Sequence, residues 1–280
     1  MTDMFLEGRA ALVTGGARGL GKVMAQALAG AGCRVMLADI DKPAVESAAQ
    51  ALAAEFPGCR IQSQTCDISN MEQCEETVRQ TRAKLGSVDI LINNAARGPL
   101  HVERAPGTRS LKFFESNPQA WAQTIATNVT GTFFLAHFAA PLMIATGWGR
   151  IVNITTSLST MQRRANSPYG VTKAAIEAET LIWSQDLEGT GVTVNSLIPG
   201  GAADTDFVSD NIRADATAGR RKLIDPQVMA APLLWLCSMD AGQITGGRFV
   251  GKLWDSTLPP NEAALNAREP PVLRPPQEAS

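Results

Sequence analysis

The amino-acid sequence predicts an α/β fold, a doubly wound parallel sheet with helices on both faces. Three observations predict it. Short apolar runs bounded by turn signals alternate with helical patterns, the first run is followed by a glycine-rich turn and an apolar helix, and polar motifs stand at the carboxyl ends of the runs. Ligands of such sheets bind beyond the carboxyl ends of the strands, so the site is expected there.

The predicted strands are short and apolar. We predict six of them, at 9–14, 34–39, 60–65, 90–93, 150–155 and 192–198, and a helix at 20–31. Helical patterns fill most of the remaining gaps. Because parallel neighbours need long crossover connections, this alternation favours a parallel sheet.

The segment between the first strand and the first helix reads TGGARGLG, from Thr14 to Gly21. Gly15, Gly19 and Gly21 would let the backbone approach a pyrophosphate at the helix N-terminus, where unpaired N–H groups favour an anion. An ordinary glycine-rich turn is the alternative. The flanking strand and helix favour the dinucleotide site.

Tyr169 and Lys173 lie four residues apart, and Ser157 lies twelve residues before the tyrosine. Four residues are about one helical turn, so a helix from Pro168 onward projects both side chains from one face. A nearby ammonium favours the phenolate and lowers the pKa of a phenol from about 10. The pair therefore allows proton transfer by Tyr169 near neutral pH, and an ordinary surface pair on a helix is the alternative that the rest of the sequence has to decide.

These motifs together resemble the short-chain dehydrogenase/reductase family over residues 9–249. The motifs that carry the resemblance are TGGARGLG, Asp39 at the end of the second strand, CDI at 66–68, NNAA at 93–96, Asn128, the set Ser157, Tyr169 and Lys173, and IPG at 198–200. The resemblance implies a single-domain Rossmann-type fold over 1–255, followed by a Pro-rich C-terminal tail at 256–280.

The resemblance implies a dinucleotide cofactor. Asp39 favours NAD, because a carboxylate accepts hydrogen bonds from the ribose hydroxyls and repels the additional phosphate of NADP. Arg18 points the other way, since NADP-dependent members often carry a basic residue before the middle glycine. For Asp67, a cap of the helix that begins near Asn70 is an alternative or additional role. The implied cofactor-binding residues are Gly15, Arg18, Gly19, Leu20, Gly21, Asp39, Asp67, Ile68, Asn93, Ala95, Tyr169, Lys173, Pro199, Gly200 and Thr205.

The resemblance further implies an oxidoreductase that interconverts a secondary alcohol and a ketone by hydride transfer, with Tyr169 as general acid or base. Lys173 would lower the pKa of Tyr169 and bind the nicotinamide ribose, and Asn128 would hold a water in a proton relay. Ser157 is the expected hydroxyl on the substrate oxygen. Thr156, thirteen residues before the tyrosine as is usual in the family, is the alternative.

Composition suits one α/β domain and limits the function classes. The chain has 280 residues, 45% of them hydrophobic and 19% charged, with a formal net charge of −2. This charge gives no overall basic field for nucleic acid, and no apolar run is expected to reach the roughly 20 residues that span a bilayer. The N-terminal sequence lacks a secretory signal, so a cytoplasmic location is expected.

The potential metal ligands are few and scattered. Cys33, Cys59, Cys66, Cys74 and Cys237 match neither a zinc site nor a CxxC pair, so reduced, partly buried thiols are expected. Only two histidines exist, so no metal is expected. His137 stands in an apolar stretch and is expected in packing or at an interface.

Three segments depart from the family pattern or carry open roles. Residues 97–117 are predicted as a long loop that shapes the substrate entrance. A lid is expected at 202–225, and its arginines, like those before Tyr169, either recognise an anion or are solvated. The tail contains three Pro-Pro pairs, which exclude a helix or central strand and leave a disordered tail or one that packs on a neighbouring subunit.

The expected partners are a small alcohol or ketone and other copies of the chain. Long apolar faces on helices beginning near Asn117 and Tyr169 predict a homodimer or homotetramer. Two other functions stay open. An NADP-dependent carbonyl reductase results if Arg18 outweighs Asp39. A non-catalytic dinucleotide-binding sensor or scaffold is disfavoured by the intact catalytic residues.

Overall fold

A computed structural model describes residues 5–98, 112–208, 210–242 and 244–272, with only the backbone at 210 and 211. Its centre is one sheet. The strands are β1 Ala10–Thr14, β2 Arg34–Asp39, β3 Ile61–Thr65, β4 Ile90–Asn93, β5 Gly149–Ile154, β6 Val192–Ile198, β7 Arg248–Val250 and β8 Arg268–Glu269. They lie in the order β3-β2-β1-β4-β5-β6-β7-β8.

Helices cover both faces of this sheet. They are α1 Gly19–Gly30, α2 Lys42–Glu55, α3 Met71–Leu85, α4 Pro118–Ile125, α5 Gly131–Thr146, α6 Leu158–Met161, α7 Tyr169–Asp186, α8 Asp210–Thr217, α9 Ala230–Cys237 and α10 Pro260–Ala267. A π-helical turn, Ala126–Thr130, joins α4 to α5. Short 3-10 turns occupy Phe113–Glu115, Pro226–Met229 and Gly251–Leu253.

Alternation along the strands divides the core into two layers. Val13 of β1 belongs to a buried cluster with side chains of α1, α2 and α9, whereas its neighbour Leu12 belongs to a second cluster with side chains of α3 and α5. Successive strand residues point to opposite faces, so an unbroken apolar strand serves both layers. This explains the continuous apolar runs in the sequence.

The strand order creates a crevice at one edge of the sheet. The first seven strands are parallel, and β1 lies between β2 and β4. From β1 the chain adds strands on one side up to β3 and then crosses to β4 on the other side. The loops after β1 and β4 therefore diverge, and such a switch point is where ligands bind in open α/β sheets.

The predicted fold class is confirmed. The strands at 34–39, 90–93 and 192–198 have the predicted bounds, β1 and β3 begin one residue later than predicted, and β5 is shifted by one residue at both ends. The helix predicted at 20–31 is α1, and the helix expected from Pro168 is α7. The only antiparallel pair in the described sheet is formed by β7 and β8, and β8 was not predicted.

The expectation that prolines exclude a helix from the tail is wrong for α10. Pro260 takes the first helical position, where a missing N–H breaks no hydrogen bond, and the next Pro-Pro pair follows the helix. Three alanines of α10 are buried, and Asn261 Oδ1 accepts a hydrogen bond of 2.8 Å from Trp235 Nε1. The tail therefore packs on its own domain through α10 and β8, and residues 273–280 lie outside the described residues.

The longest helix corrects the expectation that no apolar segment could span a bilayer. The continuous helix Pro118–Thr146 has 29 residues and is long and apolar enough by length and composition. Core helices of globular proteins share this length and composition. Here one face of the helix, with Leu135, Ala139 and Met143, packs against the sheet, whereas Phe133 and Ile144 on the same helix stay exposed.

The cysteines and histidines show no metal-binding arrangement in the part of the chain that the structure describes. All five cysteines are free and four are buried. Across the described ranges no group of three or more His, Cys, Asp or Glu side chains is placed to hold a metal. His137 is exposed, with its ring 5.6 Å from that of Phe133 and 5.1 Å from that of Phe138, and His101 lies outside the described residues.

Candidate active site

The glycine-rich loop after β1 is packed too closely for side chains. Gly15 and Gly19 have φ angles of 60° and 54°, which favour glycine. A Cβ at Gly21 would lie 2.1 Å from the Gly15 carbonyl oxygen. No side chain caps α1 and its first turn has no acidic residue, so its N–H groups are open to an anion. The loop therefore fits a pyrophosphate.

Asn94 braces this loop and was not among the predicted site residues. Its Nδ2 donates to the carbonyl oxygens of Thr14 at 2.8 Å and Gly15 at 3.2 Å. The Thr14 hydroxyl oxygen accepts from the backbone N–H groups of Asn94 and Ala95, both at 3.0 Å. The NNAA motif carried the signal, but only Asn93 and Ala95 were taken from it as cofactor-binding residues.

Asn93 points into the sheet. Its Nδ2 donates to Asn153 Oδ1 at 2.9 Å, and Asn153 donates in turn to the Thr180 hydroxyl at 2.9 Å. Its own Oδ1 is buried and has no hydrogen-bond partner among the described residues. The Asn93 side chain therefore ties β4 to β5, and its contact with the cofactor stays a prediction.

Asp39 stands at the end of β2 against the glycine-rich loop. Its carboxylate accepts from the backbone N–H of Ala17 at 3.3 Å and of Asp41 at 3.1 Å. Arg18 is turned away from it, because its Nη2 lies 2.6 Å from Asp41 Oδ2 in an exposed ion pair. Leu20 is partly buried against the core. A carboxylate, not a guanidinium, thus lines this part of the crevice.

Asp67 and Ile68 follow β3. Asp67 accepts from the Ser69 N–H at 2.9 Å and from the Ser69 hydroxyl at 2.7 Å. The expected helix cap at Asp67 is wrong, because Asn70 caps α3 by accepting from the Gln73 N–H at 2.8 Å. Ile68 is buried. The contacts of Asp67 and Ile68 with the cofactor stay predictions.

Tyr169, the only tyrosine of the chain, is the first residue of α7 and is 9% exposed. Burial raises its pKa, and the charge of Arg163 opposes this in part. The expected lowering by Lys173 is not found, because desolvation dominates. The Lys173 ammonium nitrogen lies 5.9 Å from the centre of the tyrosine ring.

Lys173 is buried one turn after Tyr169. Its Nζ donates to the Ile154 carbonyl oxygen at 2.7 Å. Burial lowers the pKa of Lys173 to about 8, and the charge of Glu177 opposes this lowering. The ammonium is thus held close to the phenol and is still mostly protonated at pH 7.

Asn128 lies in the π-helical turn between α4 and α5, a feature often found at functional sites. Its Oδ1 accepts from the Arg97 N–H at 2.7 Å, and its Nδ2 donates to the Arg97 carbonyl oxygen and to the Thr172 hydroxyl, both at 3.0 Å. Both amide hydrogens are therefore used. Asn128 ties the chain after β4 to α7, and its water relay stays a prediction.

Ser157 and Thr156 lie between β5 and α6, both half-buried. The Ser157 hydroxyl oxygen is 2.9 Å from that of Thr160 and 3.1 Å from that of Ser159. The Thr156 carbonyl oxygen accepts from Arg248 Nη2 at 3.1 Å, and no hydrogen bond of its hydroxyl is seen among the described residues. Either hydroxyl remains a candidate for the substrate oxygen.

The segment after β6 approaches the glycine-rich loop. Gly200 has a φ of 90°, and the Lys252 side chain packs where its Cβ would stand. The Pro199 carbonyl oxygen accepts from the Lys252 N–H at 3.2 Å. Thr205 packs on Gly19, where a Cβ would lie 3.3 Å from the Thr205 Cβ. The contact with Gly19 puts Thr205 beside the loop that fits a pyrophosphate, whereas Pro199 and Gly200 contact Lys252, and their cofactor contacts stay predictions.

Phe207 covers the tyrosine. Its ring centre is 5.8 Å from that of Tyr169, and a Cβ at Gly98 would lie 2.5 Å from its Cζ. Gly98 was not predicted as a site residue, because nothing in its local sequence marks the approach of a distant ring. The first part of the predicted lid therefore rests on Tyr169 through Phe207.

The arginines of the lid are largely paired. Arg213 bonds to Asp204 at 3.0 Å and Arg220 to Asp215 at 2.7 Å, which weakens the expectation that they recognise an anion. Arg163 and Arg164 instead line an open cavity of about 340 Å³, together with Lys112, Phe113 and Phe114. Most of the predicted loop at 97–117, residues 99–111, lies outside the described residues.

Comparisons with known proteins agree with this geometry. The sequence model of the short chain dehydrogenase family matches residues 9–216. The 3-oxoacyl-[acyl-carrier-protein] reductase FabG of Vibrio cholerae is 32% identical over 87% of this chain and 95% of its own length. The acetoacetyl-CoA reductase of Rhizobium meliloti is also 32% identical, over 85% of this chain and 94% of its own.

A solved structure shares the fold and part of the sequence. A provisionally assigned NAD(P)-dependent gluconate 5-dehydrogenase from Beutenbergia cavernae, with NADP bound at low occupancy, superimposes with a TM-score of 0.76 and 26% identity. The match covers 89% of this chain and 97% of that one. The chain therefore belongs to the short-chain dehydrogenase family.

Proposed function

We propose that the protein is an NAD-dependent oxidoreductase that interconverts a secondary alcohol and a ketone, with Tyr169 as general acid and base. The observation that carries this proposal is the burial of Tyr169 beside Lys173, at the sheet edge that also holds the glycine-rich loop. A bound nicotinamide would supply or accept the hydride. The protein's own residues would then move the proton.

Tyr169 would donate its proton to the ketone oxygen in reduction and take up the alcohol proton in oxidation. Burial keeps the phenol neutral, which suits donation. The phenolate that results needs a positive neighbour, and the ammonium of Lys173 stands 5.9 Å from the ring centre. Because the pKa of Lys173 is about 8, this support is lost as the pH rises above 8.

The preference for NAD rests on Asp39. Its carboxylate lies at the glycine-rich loop, where it would bond ribose hydroxyls and repel a ribose phosphate. NADP is the second candidate, because the related protein from Beutenbergia cavernae was solved with NADP. The exposed pair of Arg18 with Asp41 is worth at most about 1 kcal/mol, so Arg18 could turn toward a phosphate at little cost.

The relatives suggest substrates to test first. Two are reductases of 3-oxoacyl or acetoacetyl groups carried on acyl-carrier protein or coenzyme A. We therefore include 3-oxoacyl and 3-hydroxyacyl thioesters in the substrate class, beside simpler secondary alcohols, diols and hydroxy acids. The coarser class, a small alcohol or ketone, does not depend on this choice.

A homodimer or homotetramer and a cytoplasmic location are also proposed. The oligomer is supported by large apolar side chains that stay exposed on two helices, Phe133 and Ile144 on α5 and Val171 and Ile182 on α7. The location rests on the sequence expectation alone.

The test follows the absorbance of reduced nicotinamide with purified protein and this substrate panel, with NAD and NADP side by side. We expect turnover with NAD for one substrate class and a loss of at least about 100-fold in kcat in Tyr169→Phe, since the ring is kept and the proton is removed. Two variants separate the cofactors. Asp39→Asn should lower the preference for NAD, and Arg18→Ala should leave it unchanged.

Other results would replace the proposal. Turnover with NADP alone, weakened in Arg18→Ala, would establish the NADP-dependent carbonyl reductase. Tight NAD binding with no turnover across the whole panel would favour the sensor or scaffold. Full activity of Tyr169→Phe would refute the assigned acid and base.

A further inference from the structure

Four charged side chains, Lys173, Glu177, Arg248 and Glu269, form an ionic network beneath residues 155–157, here called the catalytic loop. Arg248 of β7 is 3% exposed and donates through Nε to Glu177 Oε1 at 3.2 Å. Its Nη1 bonds to the Glu269 carboxylate and its Nη2 to the Thr156 carbonyl oxygen at 3.1 Å. Glu177, 4% exposed, lies one helical turn after Lys173 on α7. The ionic network therefore extends from Glu269 in the C-terminal tail to Lys173 in the active site.

Three consecutive residues at the end of β5 are each held by one of these charges. Lys173 donates to the Ile154 carbonyl oxygen at 2.7 Å. The Thr155 hydroxyl donates to Glu177, and the Thr156 carbonyl accepts from Arg248. The next residue along the chain is Ser157. The ionic network therefore fixes the backbone that presents the candidate hydroxyls of Thr156 and Ser157 to the substrate.

The last member comes from the C-terminal segment. Glu269 lies on β8, directly opposite Arg248 in the antiparallel pair of β8 with β7. With Glu269, the ionic network contains two cations and two carboxylates, so its own net charge is zero. A buried guanidinium that loses a partner carries an uncompensated desolvation cost, so Glu269 holds Arg248 in its place.

We propose that Arg248 and Glu269 are positioning residues of the active site, with the C-terminal segment supplying Glu269 to hold Arg248 against the Thr156 carbonyl and Glu177. Glu177 in turn faces Lys173. The catalytic meaning of this arrangement rests on the proposed function, whereas the electrostatic link from Glu269 to Lys173 does not.

The same contacts set the direction of the electrostatic effect. Lys173 is faced by Tyr169 and Glu177 on its own helix, and behind Glu177 stand Arg248 from β7 and Glu269 from β8. Glu177 raises the pKa of Lys173 against burial, and Arg248 lowers the pKa of Glu177 against burial. Without the negative charge of Glu269, the surroundings of Lys173 become more positive, so its pKa should fall.

The test is the isosteric variant Glu269→Gln. The Glu269 side chain is 43% exposed in the wild type, so we expect the variant to fold. Arg268→Gln on the same two-residue strand is the matched control. For Glu269→Gln we expect kcat about tenfold lower from a displaced catalytic loop, with the KM for NAD unchanged. The alkaline limb of kcat/KM should move down by about half a pH unit or more. Arg268→Gln should behave as the wild type.

A second readout needs no substrate. Because the chain has one tyrosine, protein labelled with ¹³Cζ-tyrosine gives one NMR signal, from Tyr169. Burial keeps the Tyr169 phenol protonated, so an inflection between pH 6 and 10 would report the loss of charge on Lys173. We expect a midpoint near 8 in the wild type and a lower midpoint in Glu269→Gln. Glu177→Gln should give the largest shift.

The outcomes separate the two proposals. If the wild type turns over no alcohol, the proposed function fails, and the NMR midpoints still decide the electrostatic link. If Glu269→Gln leaves both the midpoint and the alkaline limb unchanged, the positioning role is refuted, even if the variant melts at a lower temperature. Equal shifts in Arg268→Gln would refute it as well. Arg248→Lys keeps the positive charge, so it should retain the wild-type NMR midpoint while its kcat falls.

Discussion

Replacing the buried lysine of the active site should stabilise the protein while it abolishes turnover. Lys173→Met removes a charge that burial makes unfavourable and keeps a chain of similar length. The pKa of Lys173 falls from 10.5 to about 8 on folding, which corresponds to a cost of about 3 kcal/mol in the free energy of unfolding. The variant also leaves the Ile154 carbonyl without its donor, at a cost of about 1–2 kcal/mol. A net gain of about 1–2 kcal/mol results at pH 7.

The pH dependence identifies the cause. Between about pH 8 and 10.5 the unfolded lysine holds a proton that the folded one has lost, so wild-type stability rises with pH through this window relative to the variant. The cost of Lys173 is fully present below pH 8 and is gone above 10.5. The advantage of the variant should therefore be largest at pH 7 and shrink by about 2 kcal/mol at pH 9.5.

The assay is urea unfolding of both proteins at pH 7 and pH 9.5, with the exposed-lysine variant Lys22→Met as control for the loss of one surface charge. Stability differences between Lys173→Met and the wild type that are equal at the two pH values would refute the argument. A variant less stable than the wild type at pH 7 would show that the bond to Ile154 outweighs desolvation.

Three further predictions test packing and burial. Gly21→Ala brings a methyl group 2.1 Å from a loop carbonyl and should raise the Kd for NAD about 100-fold by calorimetry, whereas Gly30→Ala on the same helix, at 3.4 Å from its nearest neighbour, should leave it unchanged. Gly98→Ala should displace Phe207 and raise the substrate KM about tenfold with the Kd for NAD unchanged; equal effects on both would contradict a local role. Burial raises the pKa of Glu179 from 4.5 to about 7, so stability falls as the pH rises through this window, and Glu179→Gln should stabilise in thermal unfolding at pH 8 but not at pH 4.5.

Most of the sheet could be predicted because its strands are buried on both faces. Runs such as RVMLAD and VTVNSLI are apolar without interruption and end at turn signals, so periodicity and length agree. The strand β8 could not be predicted, because two charged residues directly before a Pro-Pro pair carry no strand pattern. The helix α10 was missed because prolines were taken as breakers, although at its first position a proline fits the helix.

The candidate site, like the sheet, has parts that the sequence predicted and parts that it did not. Motif spacing allowed the glycine-rich loop, Tyr169 and Lys173 to be predicted as parts of one site, since the loop follows a strand and the two side chains share one helix face. Contacts between distant segments left no such trace, as with Gly98 and Phe207. The pKa of Tyr169 was predicted in the wrong direction because desolvation depends on burial, which a spacing of four residues does not reveal.

The short strand β8 also bears on how the protein avoids aggregation. At the opposite edge of the sheet, β3 reads IQSQT, a polar strand that offers other chains little apolar surface. The β7 edge is different, because Phe249 and Val250 are apolar and β8 pairs with Arg248 and Phe249 along its outer side. A chain shortened before Pro260 would expose this strand edge, and we expect it to pair more readily with other chains.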